Sequence, residues 1–237
     1  WALTSLGSAA YANANAQLAQ STWNRMLQVA LQVYDEDHPE VATLRNSLGL
    51  LAMEQGRFED ARLDFEDAIR IDRLRRTERF DDLVYPLSNL ALVATFEGRL
   101  AEAEGLLAEA QEIAVEQSHR WLGPILSRRA DVACLGGSAS EGVALAREAV
   151  EASVAEFGPE DWRVRQAQLT ELFCRSVAGT QVSTEEADAA LAAVVERWGY
   201  ANCYSQRAVE QALAIHAASG NSRRVSELRE LSLGWLR

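Results

Sequence analysis

The residues able to do chemistry are few and scattered. Three histidines, His38, His119 and His216, lie far apart. None forms His-x-x-x-His or His-Glu-x-x-His, the spacings that put two ligands on one helix face. Cys134, Cys174 and Cys203 include no pair two or three residues apart, so no zinc or dithiol motif is written. An odd count also fits poorly with a secreted disulfide framework. We expect three small buried residues in a reducing compartment. Gly136-Gly137-Ser138-Ala139-Ser140 resembles a nucleophile elbow, but glycine is missing after the middle serine. It is expected to be a turn with Ser140 as a helix cap. Asp35-Glu36-Asp37 lacks calcium-loop spacing. No catalytic residue, metal site or cofactor is expected.

Composition narrows the chemistry further. All 23 basic residues of the 237-residue chain are arginine. Without lysine there is no Walker-type phosphate loop, no kinase strand lysine and no Schiff-base nucleophile. The absence fits an Ala-rich product of a GC-rich genome. A net charge of −12 disfavours nucleic acid and anionic membranes as partners. No eighteen-residue apolar run is present, so no membrane span is expected. The start, WALTSLGSAAYANANA, has neither a basic end nor an apolar stretch and does not read as a signal peptide. It also lacks an initiator Met, and the chain is expected to be a piece of something longer.

These residues sit on a repeat. Leu48-Gly49-x-x-Ala52-Met53-x-Gln55-Gly56-Arg57-Phe58-x-Asp60-Ala61, then Phe65 and Ala68, recurs 42 residues on. There it reads Leu90-Ala91-x-x-Ala94-Thr95-x-Glu97-Gly98-Arg99-Leu100-x-Glu102-Ala103, then Leu107 and Ala110. The same shift backwards reaches Leu6-Gly7, Ala10, Ala19, Trp23 and Met26. Gly158-Pro159-Glu160-Asp161-Trp162-Arg163-Val164 matches Asp35-Glu36-Asp37-His38-Pro39-Glu40-Val41 at a shift of 123. About six copies fill 1–37, 38–79, 80–119, 120–159, 160–200 and 201–237, as one domain.

Each copy reads as two helices, with apolar residues at three- and four-residue spacing on both sides of a turn. Gly56, Gly98, Gly137 and Gly220 suit left-handed C-caps. Asn13-Ala14-Asn15 replaces that glycine turn in the first copy. Ser183-Thr184-Glu185-Glu186 reads as a capping box, and Pro39 as a first helical residue behind a capping His38. Asp81-Asp82 places negative charge at another helix start.

Position by position, the pairs resemble tetratricopeptide repeats, in the 42-residue form seen in kinesin light chains and many bacterial proteins. Ala52, Ala61 and Ala68 stand where the two helices of that motif cross closely. Phe65, Leu107 and Trp23 stand at its large core position. Arg129 and Glu171 stand where the motif wants leucine, which predicts shifted or degenerate copies there. The resemblance covers essentially all 237 residues. It implies an all-α, right-handed superhelical solenoid of helix-turn-helix repeats. It also implies that the first helix of each pair lines a groove that binds a protein or peptide. On that register the groove residues are Tyr11, Thr43, Asn46, Leu50, Met53 and Glu54, then Tyr85, Ser88, Leu92, Thr95 and Phe96, then Ser127, Asp131, Cys134 and Leu135. Asn46 can donate to and accept from an extended backbone. Met53, Leu92 and Phe96 offer adaptable apolar contact.

Two surface features stand apart. Arg70, Arg73, Arg75, Arg76 and Arg79 cluster near a helix end, where cations complement the dipole and Glu66 pairs with Arg70 at i, i+4. Arg73, Arg76 and Arg79 are also candidates for contact with an anion or acidic partner. Val225, Leu228, Leu231 and Trp235 form an apolar stripe on the last helix, expected to be open to more chain or to a second copy. The sequence therefore predicts a non-catalytic scaffold or regulatory domain in the cytoplasm. The alternatives are the regulatory arm of a larger signalling kinase or protease, and a sensor that closes on a short peptide.

Overall fold

A computed structural model describes residues 7, 9–11, 15–74, 80–117, 120–199 and 202–233. All regular structure among them is helical. Short helical stretches at 7 and 9–11 precede α1 Ala16–Val33, α2 Pro39–Glu54 and α3 Phe58–Leu74. A 3₁₀ turn at Phe80–Leu83 leads into α4 Val84–Phe96, followed by α5 Leu100–Glu116 and α6 Leu122–Leu135. Then come α7 Ala139–Phe157, α8 Trp162–Val177, α9 Thr184–Trp198, α10 Cys203–Ala218 and α11 Ser222–Leu233. The chain divides into two compact units, Trp1–Phe96 and Glu97–Arg237.

The helix ends follow from named residues. Gly56, Gly98, Gly137 and Gly220 all take positive φ, from 69 to 88°. Left-handed backbone strains any residue with a Cβ, which is why glycine closes these turns. After three of them the chain donates back five residues: Arg57 N–H to the Ala52 carbonyl, Ser138 to Ala133, Asn221 to His216. That bond satisfies a carbonyl the helix end leaves open. At the starts, His38 Nδ1 accepts from the Glu40 N–H at 3.2 Å, behind Pro39, as the sequence predicts. Asp161 and Asn202 cap α8 and α10 in the same way. The Ser183 hydroxyl accepts from the Glu186 N–H. Its own proton goes to Glu185.

Within the first unit α1 packs on α2, α2 on α3, and α4 on both α3 and α2. Within the second, α5 to α11 each pack on the next, and the first helices also touch one another, α6 on α8 and α8 on α10. Small residues let the paired helices close. A methyl at Gly49 would sit 2.7 Å from the Phe65 ring. Ala52, Ala61, Ala68, Phe65, Leu107 and Trp23 are all buried as expected.

Several local expectations need correction. α7 starts two residues earlier than a cap at Ser140 would have it, with Ser138 at the cap position and no side-chain bond there. Ser140 is already inside the helix. Asp81-Asp82 lies in the 3₁₀ turn, not at an α-helix start. Arg70 pairs with Asp37 and Asp67, not with Glu66. Arg129 and Glu171 do not mark slipped copies. They stand eight residues before the turn glycines Gly137 and Gly179, as Leu48 stands before Gly56, and each pairs with the preceding second helix: Arg129 with Glu104, Glu171 with Arg147. Charge pairing replaces apolar packing without moving the helix. On the last helix Val225 and Leu228 are buried and Leu231 is exposed. The exposed positions beside them, Arg223, Ser226, Arg229 and Glu230, are polar. Trp235 lies outside the described residues.

Candidate functional site

The first helices carry the polar side chains that the cores do not need. In the first unit, Thr43, Asn46, Leu50 and Glu54 follow one another at three- and four-residue steps, so they share one face of α2. Thr43 is exposed and the other three are half-buried. Asn89 of α4 donates to Asn46 Oδ1 at 3.1 Å. That bond fixes the Asn46 amide with its oxygen engaged, leaving two N–H donors with no partner among the described residues. At the end of the stripe the Tyr11 hydroxyl donates to Glu54 Oε1 at 2.7 Å. Burial pushes the Glu54 carboxyl up to about 7, against the lowering effect of that hydrogen bond.

In the second unit the equivalent face is a buried network. Arg207 on α10 holds Asp131 on α6 with both forks, Nε to Oδ2 at 2.6 Å and Nη2 to Oδ1 at 2.7 Å. These two helices lie two repeats apart, and their side chains meet across α8. The Gln211 amide donates to Asp131 Oδ1 at 2.8 Å and to Thr170 Oγ1 at 3.1 Å. Ser127 donates to Thr170, and Gln166 donates to Gln211. Asp131 is 5% exposed and Gln211 1%. Burial pulls the Arg207 pKa down, but Asp131 and Glu210 outweigh it and hold the group above the ordinary arginine value. The charge is therefore locked on, and the pair is saturated by its own partners.

The sulfur positions overturn the expectation of three free thiols. Cys134 on α6 and Cys174 on α8 are disulfide-bonded, with Cα atoms 5.6 Å apart, and Cys203 is a buried thiol outside that bond. Their separation of 40 residues is one repeat. Stacking therefore brings equivalent positions on neighbouring first helices together, a relation that motif spacing does not reveal.

The other expected groove residues divide. Met53, Ser88 and Leu92 are buried between helices, while Tyr85, Thr95 and Phe96 are half-buried. Phe96 stacks on Phe58 at 5.6 Å. Asp131 and Ser127 lie in the network, and Leu135 is exposed. Arg73 is exposed at the end of α3; Arg75, Arg76 and Arg79 lie outside the described residues. Sequence reasoning missed Arg207, Gln211 and Thr170. Their signal was polar residues at helix positions that a core should fill.

At the loop edge of the second unit, Trp162, Trp198 and Tyr204 pack with centroids 5.4 to 6.4 Å apart. Arg163 lies over Phe157 at 4.3 Å and Arg197 over Trp198 at 4.3 Å. The stacking stiffens the entrances to α8 and α10. On the opposite side of α8 from the network, a cavity of about 570 Å³ is walled by Arg165, Arg175, Glu171 and Glu186. Among the described residues no group of three or more His, Cys, Asp or Glu could hold a metal ion. No helix there is long and apolar enough to cross a membrane.

Paired helices, small residues at their crossings and first helices that touch across repeats define an all-α helical-repeat fold of the tetratricopeptide type. The family described as tetratricopeptide repeat matches residues 1–73. Comparison with curated proteins gives no match. Among solved structures, RapI in its apo form is similar with TM-score 0.78 at 13% identity, covering 98% of this chain and 81% of that one. A Podosopora anserina kinesin light chain with nearly identical TPR-like repeats gives 0.61 at 17% identity, covering 93% and 95%. BtubC (BKLC) from P. vanneervenii gives 0.61 at 16%, covering 93% and 90%. At these identities the likeness is one of fold.

Proposed function

We propose that the chain is a non-catalytic scaffold that binds an extended peptide or protein segment on the first-helix face of its first unit. The observation that carries this reading is the oriented Asn46. Its amide oxygen is held by Asn89, and its N–H groups are left to meet backbone carbonyls beside the exposed Thr43 and half-buried Leu50. The equivalent face of the second unit is closed by its own ion pair. The helical-repeat fold supports the same class of function, since fold alone does not name a partner. A scaffold or regulatory segment of a longer cytoplasmic protein fits the acidic charge, and the Lys-free, Ala-rich composition favours a bacterial source. A contact between copies at the last helix would have to run through Leu231 among the described residues. Arg73 remains a candidate for an acidic partner.

Selection of a displayed random-peptide library on the purified chain tests this reading. Enriched peptides should lose at least about tenfold in affinity for Asn46→Ala and for Thr43→Arg. Peptides that bind these variants as tightly as the parent would place the binding surface elsewhere.

A further inference from the structure

The disulfide lies inside the network rather than beside it. Cys134 follows Asp131 by three residues on α6, and Cys174 follows Thr170 by four on α8, so sulfurs and polar groups share one face of each helix. The same two helices are therefore tied twice, by a covalent bond and by hydrogen bonds. Across that bond α7 presents Gly142, whose absent Cβ would lie 2.1 Å from Cys134 Sγ and 3.1 Å from Cys174 Sγ. The notch is filled by sulfur and holds nothing larger. A bonded pair of sulfurs occupies less room than two unbonded ones, which need roughly the 3.5–4 Å of ordinary contact. Reduction must therefore displace a sulfur or move α6 against α8. The reduced state is also provided for: the Ala130 carbonyl oxygen lies 3.4 Å from Cys174 Sγ. It is an acceptor that a thiol can use and a disulfide sulfur cannot.

We propose that Cys134 and Cys174 form a reversible redox latch, which locks the first helices of the fourth and fifth repeats together when oxidised and frees them when reduced. The inference concerns the stacking of the second unit's first helices and does not depend on the binding reading; the latch itself needs no ligand. A small-molecule disulfide is the oxidant. One cysteine thiolate attacks it, forming a mixed disulfide and releasing one small thiolate. The second cysteine thiolate attacks the protein sulfur of that bond and releases the other. Two electrons pass from the protein sulfurs to the small molecule, and the two thiol protons end on the two small thiols. Both sulfurs are buried, so exchange proceeds through local opening of α6 and α8. A thiol pair that is reduced in a glutathione-rich compartment and oxidised under stress reconciles a cytoplasmic setting with a cross-link.

The full chain is equilibrated with oxidised and reduced glutathione at several ratios, then alkylated under denaturing conditions and weighed. The latch predicts three alkylated thiols at the reducing end and one, Cys203, at the oxidising end. Hydrogen exchange read on the two states should be at least about fivefold faster in the reduced one over 127–135 and 166–174, and unchanged over α2. Cys203→Ser should behave as the parent, and Cys134→Ser should exchange like the reduced parent at every ratio. Should Cys134→Ser not fold, the two states of the parent still decide. Three alkylated thiols at all ratios, a cross-link that native protein never releases to glutathione, or equal exchange in the two states would each overturn the latch.

Discussion

The first-helix faces of the two units start from the same register and end in opposite conditions. Asp131 stands six residues before its turn glycine, as Leu50 and Leu92 do in the earlier repeats, whereas Asn89 stands nine before its own; both polar groups are buried. Asn89 reaches one repeat back and orients the neutral Asn46. Asp131 reaches two repeats forward to Arg207. A carboxylate where the earlier repeats carry leucine puts a buried ion pair on this face, and that pair must be satisfied completely. The difference teaches that the repeat fixes where the face lies, while one residue per repeat decides whether it stays open.

The largest effect should come from breaking the closed face. Asp131→Ala leaves the Arg207 guanidinium buried without its bidentate partner, and the expected loss is about 3–5 kcal/mol in urea unfolding. Asn46→Ala removes a neutral hydrogen bond, and the expected loss is about 0.5–1.5 kcal/mol. Adding Arg207→Met to Asp131→Ala should recover part of the loss, because the orphaned charge is gone. Equal costs for Asp131→Ala and Asn46→Ala would mean that the two faces are not energetically distinct.

A smaller effect separates the helix crossings. Gly142→Ala places a methyl 2.9 Å from the Ala130 carbonyl oxygen and against the disulfide, neither of which can rotate away. The expected cost is about 2–3 kcal/mol in thermal unfolding. Gly49→Ala in the first unit meets the Phe65 ring, which can tilt, and about 1 kcal/mol is expected. Gly105→Ala meets nothing within 4 Å on an exposed helical face. It should stabilise by about 0.5–1 kcal/mol, the helix propensity difference. A Gly142→Ala chain as stable as the parent would show that the notch has slack.

Much of this was readable in the residues, for physical reasons that can be named. Gly56 and Gly98 announced turns because only glycine takes left-handed backbone without strain. Pro39 behind His38 announced a helix start because the missing N–H is harmless there. The alanine positions announced close crossings because spacing and size repeat together. Asp131 was found by register alone, but its partner was not. Arg207 lies 76 residues away, and nothing local in the chain connects the two. The cysteine pair stayed hidden for the same reason: its 40-residue separation becomes a 5.6 Å contact only once helices are stacked. On the last helix Val225 and Leu228 are buried while Leu231 is exposed, and an apolar stripe alone does not tell which of its residues a neighbour covers.

The smallest expected effect lies on the open face and depends on pH. Burial raises the Glu54 pKa to about 7, with the Tyr11 hydrogen bond acting against the rise. Burial, then repulsion from Asp82, raises Asp72 in the same unit to about 7. A carboxyl whose pKa is raised on folding binds its proton more tightly in the folded chain. Its contribution to stability is complete below the ordinary carboxylate value and is lost as pH rises through 7. Glu54→Gln should therefore match the parent near pH 4 and exceed it by about 1 kcal/mol near pH 8. Tyr11→Phe removes the group that opposes the rise, so the loss should be centred at a higher pH than in the parent. Asp72→Asn should flatten the part of the slope that Glu54→Gln leaves. Unfolding measured at one-unit steps from pH 4 to 8 reads all three. A Glu54→Gln chain with the parent's full slope would assign the titration to another group and leave the open face without its ionisable end.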